Sequence, residues 1–102
     1  MKTVYQAQTF RLKLLLKNGD GSVTDLSGAS AVGRFDLPGG TVEFPAVIDT
    51  IEGSVTLTID RTVTAKWRIG KYDLQIWLDY GEGAEIEADV IYTSIVTVGR
   101  GL

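Results

Sequence analysis

The chain has 102 residues and a formal net charge of −3, from 10 Lys and Arg against 13 Asp and Glu. It has neither cysteine nor histidine, which excludes disulfides, thiolate metal sites, cysteine nucleophiles and any Ser-His-Asp arrangement, and removes the commonest metal ligand. The length reads as one domain spanning 1–102, with room for a single core and no staples.

A weak acidic excess spread along the chain gives no footprint for phosphate backbones, so nucleic acid is not an expected partner. The longest apolar run, Leu14-Leu15-Leu16, is far short of a membrane span, and the first residues lack the apolar core of a secretory signal. Synthesis and folding in a cytoplasm, with no membrane partner, are the expectation.

In chain order, Phe10, Leu12, Leu14 and Leu16 alternate with Arg11, Lys13, Leu15 and Lys17, which predicts a half-buried strand with a basic outer face. Asn18-Gly19-Asp20-Gly21 supplies turn chemistry, and residues 22–26 read as a short returning edge strand broken by Ser27-Gly28. Residues 29–37 predict a third strand, whose small Ala31 and Gly33 leave room for a second sheet. Pro38-Gly39-Gly40 ends it. Residues 41–44 start another strand, which Pro45 is expected to cut because it cannot donate to a ladder.

Residues 54–60 predict a strand with Val55, Leu57 and Ile59 facing in. Residues 62–69 are the one helical piece, capped by Asp60 or Thr62 and limited to one or two turns by Thr62, Val63 and Thr64. Trp67 is expected to plug one end of the core from it. Residues 70–80 show the strongest pattern in the chain: Tyr72, Leu74, Ile76, Leu78 and Tyr80 share one face, with Asp73, Gln75 and Asp79 on the other. After the turn Gly81-Glu82-Gly83, residues 84–98 form the last strand, with a bulge expected near Thr93 to reconcile Ile91 and Ile95 with the core.

Short strands, regular turns and little helix predict an all-β antiparallel β-sandwich of about seven strands with one short helical corner, a barrel being the alternative. Tyr72 stands where a tyrosine corner sits in an immunoglobulin-like domain.

Little in the chain points to chemistry. Asp79, Glu82, Glu85, Glu87 and Asp89 have a functional reading as a calcium site or a glycosidase carboxylate pair. Their alternation along the last hairpin instead suits charged faces that discourage edge pairing. Asn18-Gly19-Asp20-Gly21 lacks the remaining ligands of a calcium loop and reads as a plain turn. Arg11, Lys13 and Lys17 suit a solvated edge or salt bridges to the acidic last strand.

Trp77 carries more. It points away from the core, beside Gln75 and Asp79, where it suits cover by another part of the chain, a protein hot spot or a sugar-stacking platform. With Tyr80 and Tyr92 as further aromatic anchors, these five residues form the candidate partner-binding set. No catalytic, cofactor-binding or metal-binding residues are assigned, and no enzyme activity is expected.

The segments Asp25-Leu26-Ser27-Gly28-Ala29, Thr62-Val63-Thr64-Ala65, Gly70-Lys71-Tyr72-Asp73-Leu74 and Val96-Thr97-Val98, taken in this order, resemble a small immunoglobulin-like domain of tailed-phage and prophage structural proteins. The layout is similar to the N-terminal domain of phage baseplate upper proteins over roughly residues 9–98. This resemblance implies a virion component of tail, baseplate or neck that docks on other virion structural proteins or on copies of itself. A carbohydrate-binding module built on Trp77 is the alternative, and an inhibitor or adaptor acting on a host protein is a third reading.

Overall fold

A computed structural model describes residues 2–37, 39–80 and 88–101, with Ala88 described by its backbone alone. The strands are β1 (Lys2–Tyr5), β2 (Phe10–Leu15), β3 (Ser30–Leu37), β4 (Gly40–Asp49), β5 (Ser54–Ile59), β6 (Gly70–Asp79) and β7 (Ala88–Gly99). One short helix, α1 (Arg61–Thr64), lies between β5 and β6. The turn Gly81-Glu82-Gly83, the acidic residues Glu82, Glu85 and Glu87, the start of the last predicted strand and Pro38 lie outside the described residues.

All seven strands belong to one sheet in the order β1-β7-β6-β3-β4-β5-β2. Every neighbouring pair is antiparallel except β1 and β7, which run parallel from Lys2 beside Val96 to Tyr5 beside Gly99. The groups β7-β6-β3 and β5-β2 correspond to the G-F-C and E-B groups of an immunoglobulin-like sandwich. The all-β class and the strand number agree with the sequence pattern. The layers, however, are not two separate sheets.

Strand β4 joins them. Its residues from Gly40 to Ala46 pair with β3, and from Ala46 to Asp49 it pairs with β5. The sheet thus folds over on itself in a barrel-like wrap whose two edge strands, β1 and β2, are not paired with each other. Pro45 does not cut the strand as expected. Before Ala46, β4 has only β3 as a neighbour, so Pro45 sits on a local edge where a missing N–H is tolerated.

The core lies between the folded-over layers. Phe35, Leu74, Ile76, Leu78, Val96 and Val98 come from one layer, and Leu12, Val55, Leu57 and Ile59 from the other. Gly33 sets their spacing: a Cβ placed there would lie 2.6 Å from Leu57 Cδ2. Phe35 stacks at the centre of an aromatic group, with ring centroids 6.0 Å from Phe10, 6.0 Å from Phe44 and 5.0 Å from Trp67. Trp67 therefore fills the side where β4 and β5 diverge, and it is buried.

Residues 22–26 do not form the expected returning strand. The turn at Asn18 exists, held by Asn18 N–H to Ser22 O at 2.8 Å, but only an isolated bridge between Lys17 and Val23 and a bond from Thr24 N–H to Leu16 O at 3.3 Å follow it. Leu26 is needed elsewhere: it is 1% exposed and belongs to the core, and Asp25 folds the chain after it by accepting from Ser27 N–H at 3.0 Å.

The helix is shorter than residues 62–69. Asp60 is its cap, accepting from the Thr62 hydroxyl at 2.5 Å and from Thr62 N–H at 3.4 Å. The buried Thr64 ends it by donating its hydroxyl to Gln8 O at 2.7 Å, which ties the corner to the loop between β1 and β2. Tyr72 then completes a tyrosine corner, its hydroxyl donating to Arg68 O at 2.6 Å. The bulge in β7 falls at Ile91 rather than near Thr93, because Ile76 pairs with Tyr92 while Trp77 pairs with Val90.

Candidate functional site

Residues directly opposite in a sheet share a face, so the registers of β7, β6, β3 and β4 place the outer surface of this layer in rows. One row runs Val90, Trp77, Val32, Pro45 and is apolar throughout. The next runs Thr93, Gln75, Arg34, Glu43, and a third runs Ile95, Asp73, Asp36, Thr41. Asp79 lies on the same face opposite Ser30, toward the end of β6.

Trp77 sits in the middle of this surface and is half-buried. Among the described residues its contacts come from β3 and from its own strand, β6. The Arg34 guanidinium lies 5.1 Å from the centroid of its ring, a cation–π distance. Arg34 is held there by Glu43, whose Oε2 accepts from Nε at 3.1 Å and from Nη2 at 2.8 Å. The indole Nε1 donates to Gln75 Oε1 at 3.1 Å. The Arg34–Glu43 bonds are solvent-accessible and worth at most about 1 kcal/mol, and with the part-buried bond to Gln75 they orient the Trp77 ring.

Beside this cluster, Asp36, Asp73, Gln75, Thr93 and Ile95 line a shallow recess of about 270 Å³. Asp36 and Asp73 stand directly opposite one another, which is unfavourable for like charges, and Asp36 accepts from the Thr41 hydroxyl at 3.2 Å.

Trp77, Gln75 and Asp79 thus occupy one outer face as their alternation predicts. Tyr80 and Tyr92 do not join them. Both are half-buried and pack against the core. Tyr80 keeps the parity of Leu78, and the bulge at Ile91 places Tyr92 opposite Ile76 on the inner face. Arg34, Glu43 and Val32 belong to the face and escaped the sequence reading. Their outward parity in β3 and β4 is visible in the sequence, but their nearness to Trp77 depends on a register that no local pattern reveals.

Among the described residues the basic strand makes no ion pair with the last strand. Strands β2 and β7 lie far apart in the sheet order, and Lys13 pairs with Glu52 at 2.8 Å instead. The Asp20 Oδ1 accepts from the Ser22 hydroxyl at 2.6 Å and from Ser22 N–H at 2.9 Å, which lowers the pKa of the carboxyl and commits that oxygen to the turn. Among the described residues no group of three or more acidic side chains is placed to hold a metal ion, and no helix is long and apolar enough to cross a membrane.

The arrangement offers stacking, apolar contact and hydrogen bonding on a firm β surface. No protein-family model matches the chain, and no curated protein does either. The fold defines an all-β domain built on one barrel-like sheet of seven strands, and the outer β6-β3 face carries the candidate site.

Proposed function

We propose that this chain is a non-enzymatic structural component of a tailed-phage or prophage virion, an accessory of tail, baseplate or neck, that works through protein–protein interfaces centred on Trp77. The observation that carries the reading is the ordered Trp77 ring on an outer sheet face, with an apolar row through Val90, Val32 and Pro45 and a polar margin of Gln75, Arg34 and Glu43. Tryptophan and arginine are the residues most enriched among interface hot spots, and an apolar centre with a polar rim is the usual anatomy of a binding patch. The segments resembling phage immunoglobulin-like domains supply the virion context.

Trp77 also suits the carbohydrate alternative, with Gln75 and Asp79 as hydrogen-bonding partners. Arg34 already occupies one face of the indole, leaving less of it for a sugar ring, and this favours a protein partner.

Cross-linking and co-sedimentation with neighbouring head and tail proteins test the proposal. Trp77→Ala is expected to weaken capture at least about 30-fold, the effect of losing a hot spot of about 2 kcal/mol, with the melting temperature nearly unchanged. A chain that binds no virion component, or a variant that binds as well as the wild type, counts against it. Glycan binding abolished by the same substitution would favour the carbohydrate reading.

A further inference from the structure

Strand β7 is longer than its neighbour on the outer side. Strand β1 pairs with it only from Val96 to Gly99, and among the described residues no other strand pairs with that edge ahead of Val96. We propose that this free stretch, centred on Thr93, pairs with the same stretch of a second copy of the chain. The two β7 strands then run antiparallel about a two-fold axis and join two sheets into one. The contact is made by the backbone edge of β7, beside the outer face that bears Trp77, and does not rest on what that face binds.

Charge identifies the occupant. In an antiparallel pairing about a two-fold axis, each residue meets its own kind or a close neighbour, so any charge near the axis is repelled by its copy. Residues 90–99 carry no charged side chain, in a chain of which 23% is charged. The other edges are defended against such pairing. Strand β2 carries Arg11 and Lys13, which would face each other across an axis at Leu12, and the one-neighbour stretch of β4 carries Glu43 and Pro45. Strand β1 is four residues long and begins with Lys2.

The register follows from three constraints. Residues that face each other across the new ladder must lie on the same face of the sheet, so the axis passes through a residue rather than between two. The bulge at Ile91 limits the ladder on one side, and Lys2 beside Val96 closes it on the other. An axis at Ser94 would set Tyr92 against Val96, whose edge is taken. An axis at Thr93 keeps the ladder within residues 92–94, with Thr93 facing Thr93, an exposed pair that favours cross-strand contact, and Tyr92 facing Ser94. The outer faces bearing Trp77 in the two copies would then form one continuous surface.

So short a ladder buries less than a standard interface, and a dissociation constant above about 1 μM is expected. Sedimentation equilibrium up to about 1 mM protein should show a concentration-dependent dimer. Thr93→Lys and Thr93→Glu should each be monomeric with wild-type melting temperatures, and an equimolar mixture of the two should form one-to-one dimers by native mass spectrometry. Amide exchange of wild-type residues 92–94 should slow as concentration rises, a measurement that stands even if a variant fails to fold. A wild type that stays monomeric throughout, a Thr93→Lys protein that dimerises like wild type, a mixture that stays monomeric, or exchange indifferent to concentration would each overturn the proposal.

Discussion

Tyr72 shows how much one side chain holds in place. Its ring is buried beside Val96, and its hydroxyl donates to Arg68 O at 2.6 Å across the turn that leads from α1 into β6. Tyr72→Phe keeps the ring and leaves a carbonyl without its donor, at a cost of about 1–2 kcal/mol. Thermal melting is expected to fall by roughly 5–10 °C, with the folded circular dichroism spectrum unchanged. An unchanged melting temperature would mean that solvent replaces the hydroxyl at no cost. Trp77 differs in kind, because its partners Arg34 and Gln75 are themselves solvent-accessible, and its substitution is expected to change binding rather than folding.

At the scale of the element, the turns and the helix start are built on carboxylates that accept from the residues just after them. The Thr62 hydroxyl, and then the Thr62 amide, hold the Asp60 pKa below its ordinary 3.8. Ser22 does the same for Asp20 and Ser27 for Asp25, while Lys13 and then Ser54 lower Glu52 from its ordinary 4.5. A carboxylate whose folded pKa lies below its unfolded value contributes stability that is present above the unfolded pKa and lost as pH falls through the folded one. With no histidine to titrate, melting temperature is expected to be level from about pH 8 to about pH 5 and to drop below about pH 4.5. Asp60→Asn should flatten part of that acid limb in pH-resolved calorimetry. A melting temperature that already falls between pH 8 and pH 6 would contradict this account.

The elements legible in the sequence are those whose pattern is local. Alternation over residues 70–80 names both faces of β6, Asp60 announces the helix, and Gly33 marks where the layers approach. Strand β1 left no signal, because its four residues owe their strand state to a parallel neighbour more than ninety positions away, Lys2 beside Val96. Leu26 has the sequence signature of a strand residue, since sequence does not say which apolar side chain a loop will send inward. Pro45 has that of a break, because its tolerance depends on having one neighbour rather than two. The candidate site divides in the same way: Trp77, Gln75 and Asp79 follow from parity, whereas Arg34 and Glu43 need the register. Tyr92 stands opposite Ile76 and packs against the core, so it does not serve the outer face as an aromatic anchor.

For the whole molecule, the parallel pairing of β1 with β7 has a mechanical meaning. The chain enters at the start of β1 and leaves past the end of β7, and these points lie at opposite ends of the pair, with Lys2 beside Val96 and Tyr5 beside Gly99. A pull on residues 2 and 101 therefore slides the two strands past each other, loading their bonds, and the bond from Gln6 N–H to Gly99 O, together rather than one at a time. Single-molecule stretching through these ends is expected to give one high-force rupture. Stretching through residues 19 and 101 leaves that clamp out of the direct load path and should give way at lower force; equal forces in the two geometries would refute the clamp. A domain held in this way can transmit tension along its chain while its sheet stays folded.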